Sequence, residues 1–300
     1  MSRRKKGRSI NGIVLLDKPA GITSNRALQI VRRLYDARKG GHTGSLDPFA
    51  TGMLPLCLGE ASKTAAFMID ANKSYLAVAR LGEATDTGDI DGTVVSSGDI
   101  PELTEETVKA VLSGFVGQIE QIPPMYSALK HQGQPLYKLA REGKTVERKA
   151  RSVHIHSLEL LRLDGNELEF RVLCSKGTYV RTLAEDIAGA LGSCAHLVSL
   201  RRLHVDPFDT DDMVAMEQLE NAAEAGGLEA YLLPVDAGLG TWPIVRLNDE
   251  ESAGFRHGRV LKRSGEPSGW VRVYGPSDQA LGLAECTGDG LLKPRRVFQM

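Results

Sequence analysis

Cysteine is scarce in this chain, and none of it is paired in sequence. Cys57, Cys174, Cys194 and Cys286 stand far apart, and no Cys-x-x-Cys spacing joins any two of them. Zinc and dithiol redox sites ordinarily use such spacings, so no metal and no redox role is expected. Buried, reduced thiols in a cytoplasmic protein are expected instead. A basic excess is lacking as well, since the formal charge is -1. That excludes a uniformly basic protein but not a local basic patch, because net charge averages over the whole surface. No apolar run approaches the ~20 residues of a membrane span. The basic start is followed by an apolar run that Asp17, Lys18 and Pro19 interrupt, too short for a signal peptide. P-loop and dinucleotide fingerprints are missing, and no internal repeat is visible.

What is present fits a globular α+β protein. Three hundred residues, 42% of them hydrophobic, allow one large domain, or one domain plus a small module, around a sizeable core. Ile13–Leu16 and Met53–Leu58 read as buried strands. Thr23 and Ser24 can cap a helix whose apolar positions Ala27, Ile30, Val31 and Leu34 have helical spacing. Glu60–Ala71 reads as a second helix, and Pro101–Gly114 as another with Thr104 as its cap. Tyr75, Ala77, Ala79 and Leu81 alternate as in a strand. Val153–Leu163 and Leu168–Cys174 look paired around the turn Asp164-Gly165-Asn166. Tyr179–Leu191 reads as a helix and His196–Val205 as a returning strand. Strands and helices do not alternate regularly, which argues against a doubly wound sheet.

Charge is unevenly spread. Residues 1–9 carry Arg3, Arg4, Lys5, Lys6 and Arg8 and read as a basic disordered N-terminus. The segment 126–151 holds Lys130, Lys138, Arg141, Lys144, Arg148, Lys149 and Arg151 with Gly133 and Gly143. Two readings of it stand: a mobile lid or clamp, or a plain surface helix around Leu136–Glu142. A third basic cluster spans Arg256–Arg263, and acid concentrates between Glu83 and Glu106. Each basic cluster can be a solvated face or a phosphate-binding surface. Asp236–Thr241 reads as a linker. Beyond it, Val271, Val273, Leu281, Leu283 and Val297 suggest short strands of a small module at 242–300, after a main domain at 10–235.

The most informative stretch is Gly41–Leu54, GHTGSLDPFATGML. It sets one carboxylate, Asp47, in a loop of small and turn-forming residues. Its glycines let the backbone turn where other residues would clash, and Pro48 disfavours helix at Asp47. Asp-Pro in such a loop is also ordinary turn chemistry. A rigidly held acid among bare backbone suits a nucleophile that must meet a bulky substrate.

The wording of this loop resembles the signature of the TruB class of pseudouridine synthases. Asn11–Gly21 is similar to that family's opening motif, and Lys73-Ser74-Tyr75 to the segment carrying its active-site tyrosine. Ile122–Lys130, Cys174–Leu183 and Ser199–Leu203 resemble further motifs, in the family's order. Together they cover the chain from about Ile10 to Val205. The tail Leu292–Val297 is similar, more loosely, to the end of the family's PUA-like module.

The resemblance implies the pseudouridine-synthase fold, a central mixed sheet with helices on its faces and a cleft across it. It implies isomerisation of uridine-55 in the T-arm of tRNA, without metal or organic cofactor, guide RNA or obligatory protein partner. It implies Asp47 as nucleophile, Arg181 as the arginine paired with it, and Tyr75 as the ring stacking on a flipped-out uracil and helping to remove its C5 proton. Tyr179 matches a second substrate-contacting tyrosine and Leu200 an apolar wall. His42 matches an aromatic plug for the gap left by the flipped base, and Lys18 a residue beside the site. The segment 126–151 matches an RNA-gripping insertion, and 242–300 a PUA-like RNA-binding module. A monomer is the default expectation.

The chemistry explains why such residues are wanted. Uracil leaves ribose at N1, turns, and rejoins through C5, so a nucleophile must attack C1′ or C6 and then leave again, as a carboxylate can. Asp47 must be ionised, and a guanidinium would offset the penalty of a dry cleft. The base must leave its stack to be reached.

Other patterns are set aside. Asp86-Thr87-Gly88 lacks the second copy that aspartic-protease chemistry needs. Asp89-x-Asp91-Gly92 resembles part of a calcium loop, but the pattern wants acids at 87 and 98, where Thr87 and Gly98 stand. His154 and His156 have no third ligand in sight. Three rival functions remain: an RNA-folding factor, a guide-RNA-dependent relative, and a nucleoside hydrolase releasing free uracil.

Overall fold

The computed structural model describes residues 7–263 and 265–300. In chain order the strands are β1 (Gly12–Lys18), β2 (Gly40–His42), β3 (Thr51–Leu58), β4 (Lys73–Leu81), β5 (Glu83–Thr85), β6 (Val94–Ser97), β7 (Gly117–Gln121), β8 (Lys130–His131), β9 (Gln134–Pro135), β10 (Arg151–Asp164), β11 (Glu167–Cys174), β12 (Ala195–Val205), β13 (Val214–Ala215), β14 (Ile244–Arg246), β15 (Leu261–Lys262), β16 (Gly269–Tyr274), β17 (Ala280–Thr287) and β18 (Leu291–Val297). The α-helices are α1 (Ser24–Leu34), α2 (Ala65–Ile69), α3 (Glu105–Ser113), α4 (Leu136–Arg141), α5 (Val180–Ala190), α6 (Met216–Ala225) and α7 (Asp249–Arg256).

Nine strands form the main sheet in the order β13-β1-β3-β12-β4-β11-β10-β7, with β2 joined to β3. It is mixed: β1/β13 and β3/β12 run parallel, and the other pairs antiparallel. This is the α+β architecture expected from the irregular order of elements. β1 is buried on both faces. Val14 and Leu16 meet Leu28, Val31 and Leu219 of α1 and α6, while Ile13 and Leu15 meet Met53, Val235 and Leu239. Burial on both faces is why its apolar run is continuous rather than alternating. β4 does alternate: Lys73, Tyr75, Ala77, Ala79 and Leu81 are its buried positions. Its apolar residues pack, with Phe170 and Leu197, under Leu183 and Ile187 of α5.

Five further strands form a second sheet, β14-β16-β17-β18-β15, whose own core includes Val245, Phe255, Val271, Val273 and Leu292. Leu283 and Phe298 extend from it into the cluster around Ile13 and Met53. Glu60 fastens the tail by accepting the Gln299 N–H at 3.0 Å.

Two expectations are corrected, and one element is added. Glu60–Ala71 is not one helix. A 3-10 turn at Gly59–Lys63 and the short α2 are separated at Thr64, whose hydroxyl donates to the Ala61 and Val235 carbonyls. Of the basic N-terminus, residues 1–6 lie outside the described residues, but Gly7–Ser9 are not loose. Arg8 N–H donates to Asp36 O at 2.6 Å, and Arg38 N–H to Arg8 O at 3.1 Å. The helix α7 inside the second sheet's segment was not anticipated, although Asn248 and Glu251 form a reciprocal capping box there. Of the two readings for 126–151, the helix is present as α4, with Leu136 and Leu139 buried.

Candidate active site

The loop joining β2 to β3 carries Asp47, and several backbone groups around it are fastened. Buried Ser24 accepts the Leu46 N–H at 2.7 Å and donates to the Leu46 carbonyl at 3.0 Å. Ser24 therefore serves this loop, while Thr23 caps α1 by accepting the Arg26 N–H. The Pro48 carbonyl receives the Gly21 N–H at 2.8 Å and the Lys18 ammonium at 3.2 Å. At Gly52, φ is +97°, and a Cβ would stand 2.2 Å from the Arg202 carbonyl. Only glycine permits this approach of β3 to β12.

Asp47 opens into a cavity of about 530 Å³. Tyr75 from β4, Leu200 and Arg202 from β12, and Tyr179 and Arg181 at the start of α5 line it as well. β4 and β12 pair antiparallel with Tyr75 opposite Arg202, so the two side chains share a face. Asp47, Tyr75, Tyr179, Arg181 and Leu200 are thus brought together as anticipated. Lys18, named with the substrate-contacting residues but expected to act mainly as structural support, lies beside the site and not in its lining. It is 0% exposed, and its ammonium donates to the carbonyls of Pro19, Ile22 and Pro48. His42 sits on β2 opposite Leu56, also outside the lining, with its Nδ1 buried and unpartnered.

Arg181 organises the electrostatics. Its Nε lies 2.9 Å from Asp47 Oδ2, and its Nη1 lies 3.5 Å from Asp89 Oδ2. Nη1 also donates to the Thr87 carbonyl, and Nη2 to the Tyr126 carbonyl at 2.8 Å. Asp89 is buried and held by Thr87 Oγ1 at 2.6 Å and the Asp91 N–H at 3.1 Å. Reading this stretch only as an incomplete calcium loop missed Asp89, because its partner stands far away in sequence. Gln121 was missed for the same reason. Its amide accepts the Tyr179 N–H at 3.0 Å and donates to the Tyr179 carbonyl at 3.3 Å, fixing the entry to α5.

Burial pushes the Asp47 carboxyl above the ordinary carboxylate range, while Arg181 and then Lys18 pull it back. Burial likewise raises the Tyr75 and Tyr179 phenols, so both are neutral near pH 7. Burial, with the Arg202 charge behind it, lowers His42, which is therefore an uncharged ring. Lys18 and Lys73 are each lowered to about 8, again chiefly by burial.

The lining holds a single carboxylate, Asp47, among the cations Lys73, Arg151, Lys176, Arg181 and Arg202. Beside these charges lie Tyr75, Tyr179 and the apolar Val180 and Leu200. Such a cavity suits a flat ring carried on an anionic backbone, with one nucleophilic oxygen within it. Among the described residues, no three His, Cys, Asp or Glu side chains converge as metal ligands would.

Family comparisons agree along the whole chain. Residues 32–180 match the TruB family pseudouridylate synthase N-terminal domain. Residues 181–240 match the tRNA pseudouridylate synthase B C-terminal domain, and 243–298 the C-terminal domain of pseudouridine synthase II TruB. The chain belongs to the TruB family of pseudouridylate synthases. It is 51% identical to the tRNA pseudouridine synthase B of Nitrosococcus oceani, over 99% of this chain and 97% of that protein. To the tRNA pseudouridine synthase B of Chromohalobacter salexigens it is 52% identical, with the same coverage. Its fold is shared with a chain of the Cbf5-Nop10-Gar1 complex, with a TM-score of 0.73 at 24% identity over 96% of this chain and 85% of that one. Among the described residues no helix is long and apolar enough to cross a membrane.

Proposed function

We propose that this protein converts uridine to pseudouridine in tRNA, at uridine-55 of the T-arm, with Asp47 as the nucleophile. One observation carries the reading: among the described residues, Asp47 is the only carboxylate lining a cavity rich in cations, and Arg181 bonds it directly. The names of the relatives, at about half identity over nearly the full chain, support tRNA as the substrate.

In this reading the uridine flips out of its stack into the cavity, where Tyr75 and Leu200 flank the ring. The Arg181 guanidinium stabilises the ionised Asp47 against desolvation. Asp47 attacks C1′ of the ribose or C6 of the base. The N1–C1′ bond breaks, the ring turns, and the C5–C1′ bond forms. After attack at C1′ the Asp47–C1′ bond breaks as C5–C1′ forms, and after attack at C6 the Asp47–C6 bond breaks in a later step. The C5 proton leaves through the Tyr75 hydroxyl acting as a relay, and N1 gains a proton, so none is lost overall. No electrons are gained or lost overall. His42 plugs the gap left in the RNA, which its uncharged ring permits by stacking.

The segment 126–151, an insertion within the catalytic domain at 10–235, and the second sheet beyond it grip the RNA through backbone phosphates. The protein works as a cytoplasmic monomer, without guide RNA or protein partner, and an added role in tRNA folding is compatible with this surface. The test is Asp47→Asn. Tight tRNA binding with no pseudouridine formed is expected, and normal turnover by that variant would remove the central claim.

A further inference from the structure

Arg202 is 1% exposed and, among the described residues, forms no ion pair with any carboxylate. A buried, unpaired charge is costly, and an apolar side chain of similar volume would avoid that cost. The guanidinium instead bonds backbone on either side of Asp47, and the Tyr75 side chain is a further hydrogen-bond partner. Nη2 donates to the Gly44 carbonyl at 3.2 Å, and Nε donates to the Met53 carbonyl at 2.6 Å. One carbonyl lies three residues before Asp47, near the start of its loop, and the other lies six residues after it, within β3 just beyond the loop. We propose that Arg202 is a positioning residue for Asp47: one planar guanidinium ties the start of the nucleophile's loop to the strand that follows it.

The surrounding geometry supports this. Arg202 pairs with Gly52 across the parallel β3/β12 edge, and Gly52 lets the two backbones touch. Nη1 lies close beside the Gly44 Cα, where a Cβ would stand 3.7 Å from it. Arg202 also stands opposite Tyr75, so the clamp joins the Asp47 loop to the strand carrying the candidate stacking ring. A guanidinium fixes two acceptors in one rigid plane, whereas an ammonium on a flexible stem does not. Arg181 orients the carboxylate itself, and Arg202 fixes the backbone beneath it.

The inference rests on Asp47 being the nucleophile, so the wild-type protein is assayed alongside. Arg202→Lys keeps charge and most of the volume but loses the two-point fork, and Arg202→Met loses both. Single-turnover pseudouridine formation on unmodified tRNA transcript is measured across pH, with tRNA affinity and thermal melting recorded for each variant. Loss of positioning by about an ångström costs on the order of 10²-fold in rate. For Arg202→Lys, a loss of that order is expected in a folded protein, with tRNA affinity within about threefold of wild type. The midpoint of the acid limb should stay in place, because the charge is retained. Three results would overturn the inference: a wild-type rate in Arg202→Lys, an equal loss of rate and affinity, or an Arg202→Lys protein that does not fold. An inactive wild-type protein would instead defeat the functional reading beneath it.

Discussion

Arg181 stands between two carboxylates, with Nε 2.9 Å from Asp47 Oδ2 and Nη1 3.5 Å from Asp89 Oδ2. Asp47 is partly open to the cavity, whereas Asp89 is 4% exposed and sealed by Thr87 and Asp91. The buried acid therefore orients the guanidinium, and the guanidinium orients the half-buried acid that faces the cavity.

Asp89→Asn keeps the shape and removes the charge. A hydrogen bond to a charged group contributes about 1.5–3 kcal/mol, so the single-turnover rate should fall roughly tenfold to a hundredfold. tRNA affinity, measured by filter binding, should not change. An unaltered rate would separate Asp89 from the site.

Activity should fall on the acid side as Asp47 takes up a proton, at a pH above the ordinary carboxylate range because burial raises its pKa. The Lys18 charge opposes that rise. Lys18→Met removes a cation near Asp47, so protonation becomes easier and the acid limb moves to higher pH. A pH–rate profile of the two proteins checks the sign, and a limb that stays in place would contradict it.

How much of this was legible follows from how local each signal is. Asp47, Tyr75, Tyr179, Arg181 and Leu200 each lie in a short motif, and the antiparallel pairing of β4 with β12 brings Tyr75 and Leu200 to one cavity. The alternation at Tyr75–Leu81 and the turn at Gly165 were readable because their causes lie within a few residues. Asp89, Gln121 and Arg202 were not read as site residues. Their partners stand far along the chain, at Arg181, Tyr179 and the backbone on either side of Asp47. The break at Thr64 escaped for the same reason, since the hydroxyl that accompanies it reaches Val235. Lys18 lies near enough to Asp47 for the two charges to interact. Its burial is set by three carbonyls that no motif displays.

Gly52→Ala should destabilise the protein. A residue with a Cβ would be strained at φ +97° and would meet the Arg202 carbonyl at 2.2 Å. Backbone strain and overpacking each cost on the order of 1–3 kcal/mol, so a loss of at least about 2 kcal/mol is expected in urea unfolding. Gly165→Ala has φ +57° and nothing within 4 Å, so it should cost only about 1 kcal/mol. Equal losses would show that the β3/β12 approach does not matter.

His204 gives the fold a pH dependence of its own. Partial burial lowers its pKa, but hydrogen bonds to Asp206 at 2.5 Å and Asp209 at 2.8 Å outweigh this, and the net shift is upward. A group raised in the folded state stabilises fully below its unfolded pKa, near ~6.5, and loses that contribution as pH rises through the folded value. Stability measured from pH 6 upward should therefore decline by a step that His204→Gln abolishes. An identical decline in the variant would assign it elsewhere.

The most direct measurement is incubation of the purified protein with unmodified tRNA transcript, without added metal, cofactor or guide RNA, followed by mapping of pseudouridine at single-nucleotide resolution. Conversion at the T-arm uridine-55 alone, abolished by Asp47→Asn, is the expected result. No conversion with tRNA binding intact, or conversion that survives Asp47→Asn, would contradict it.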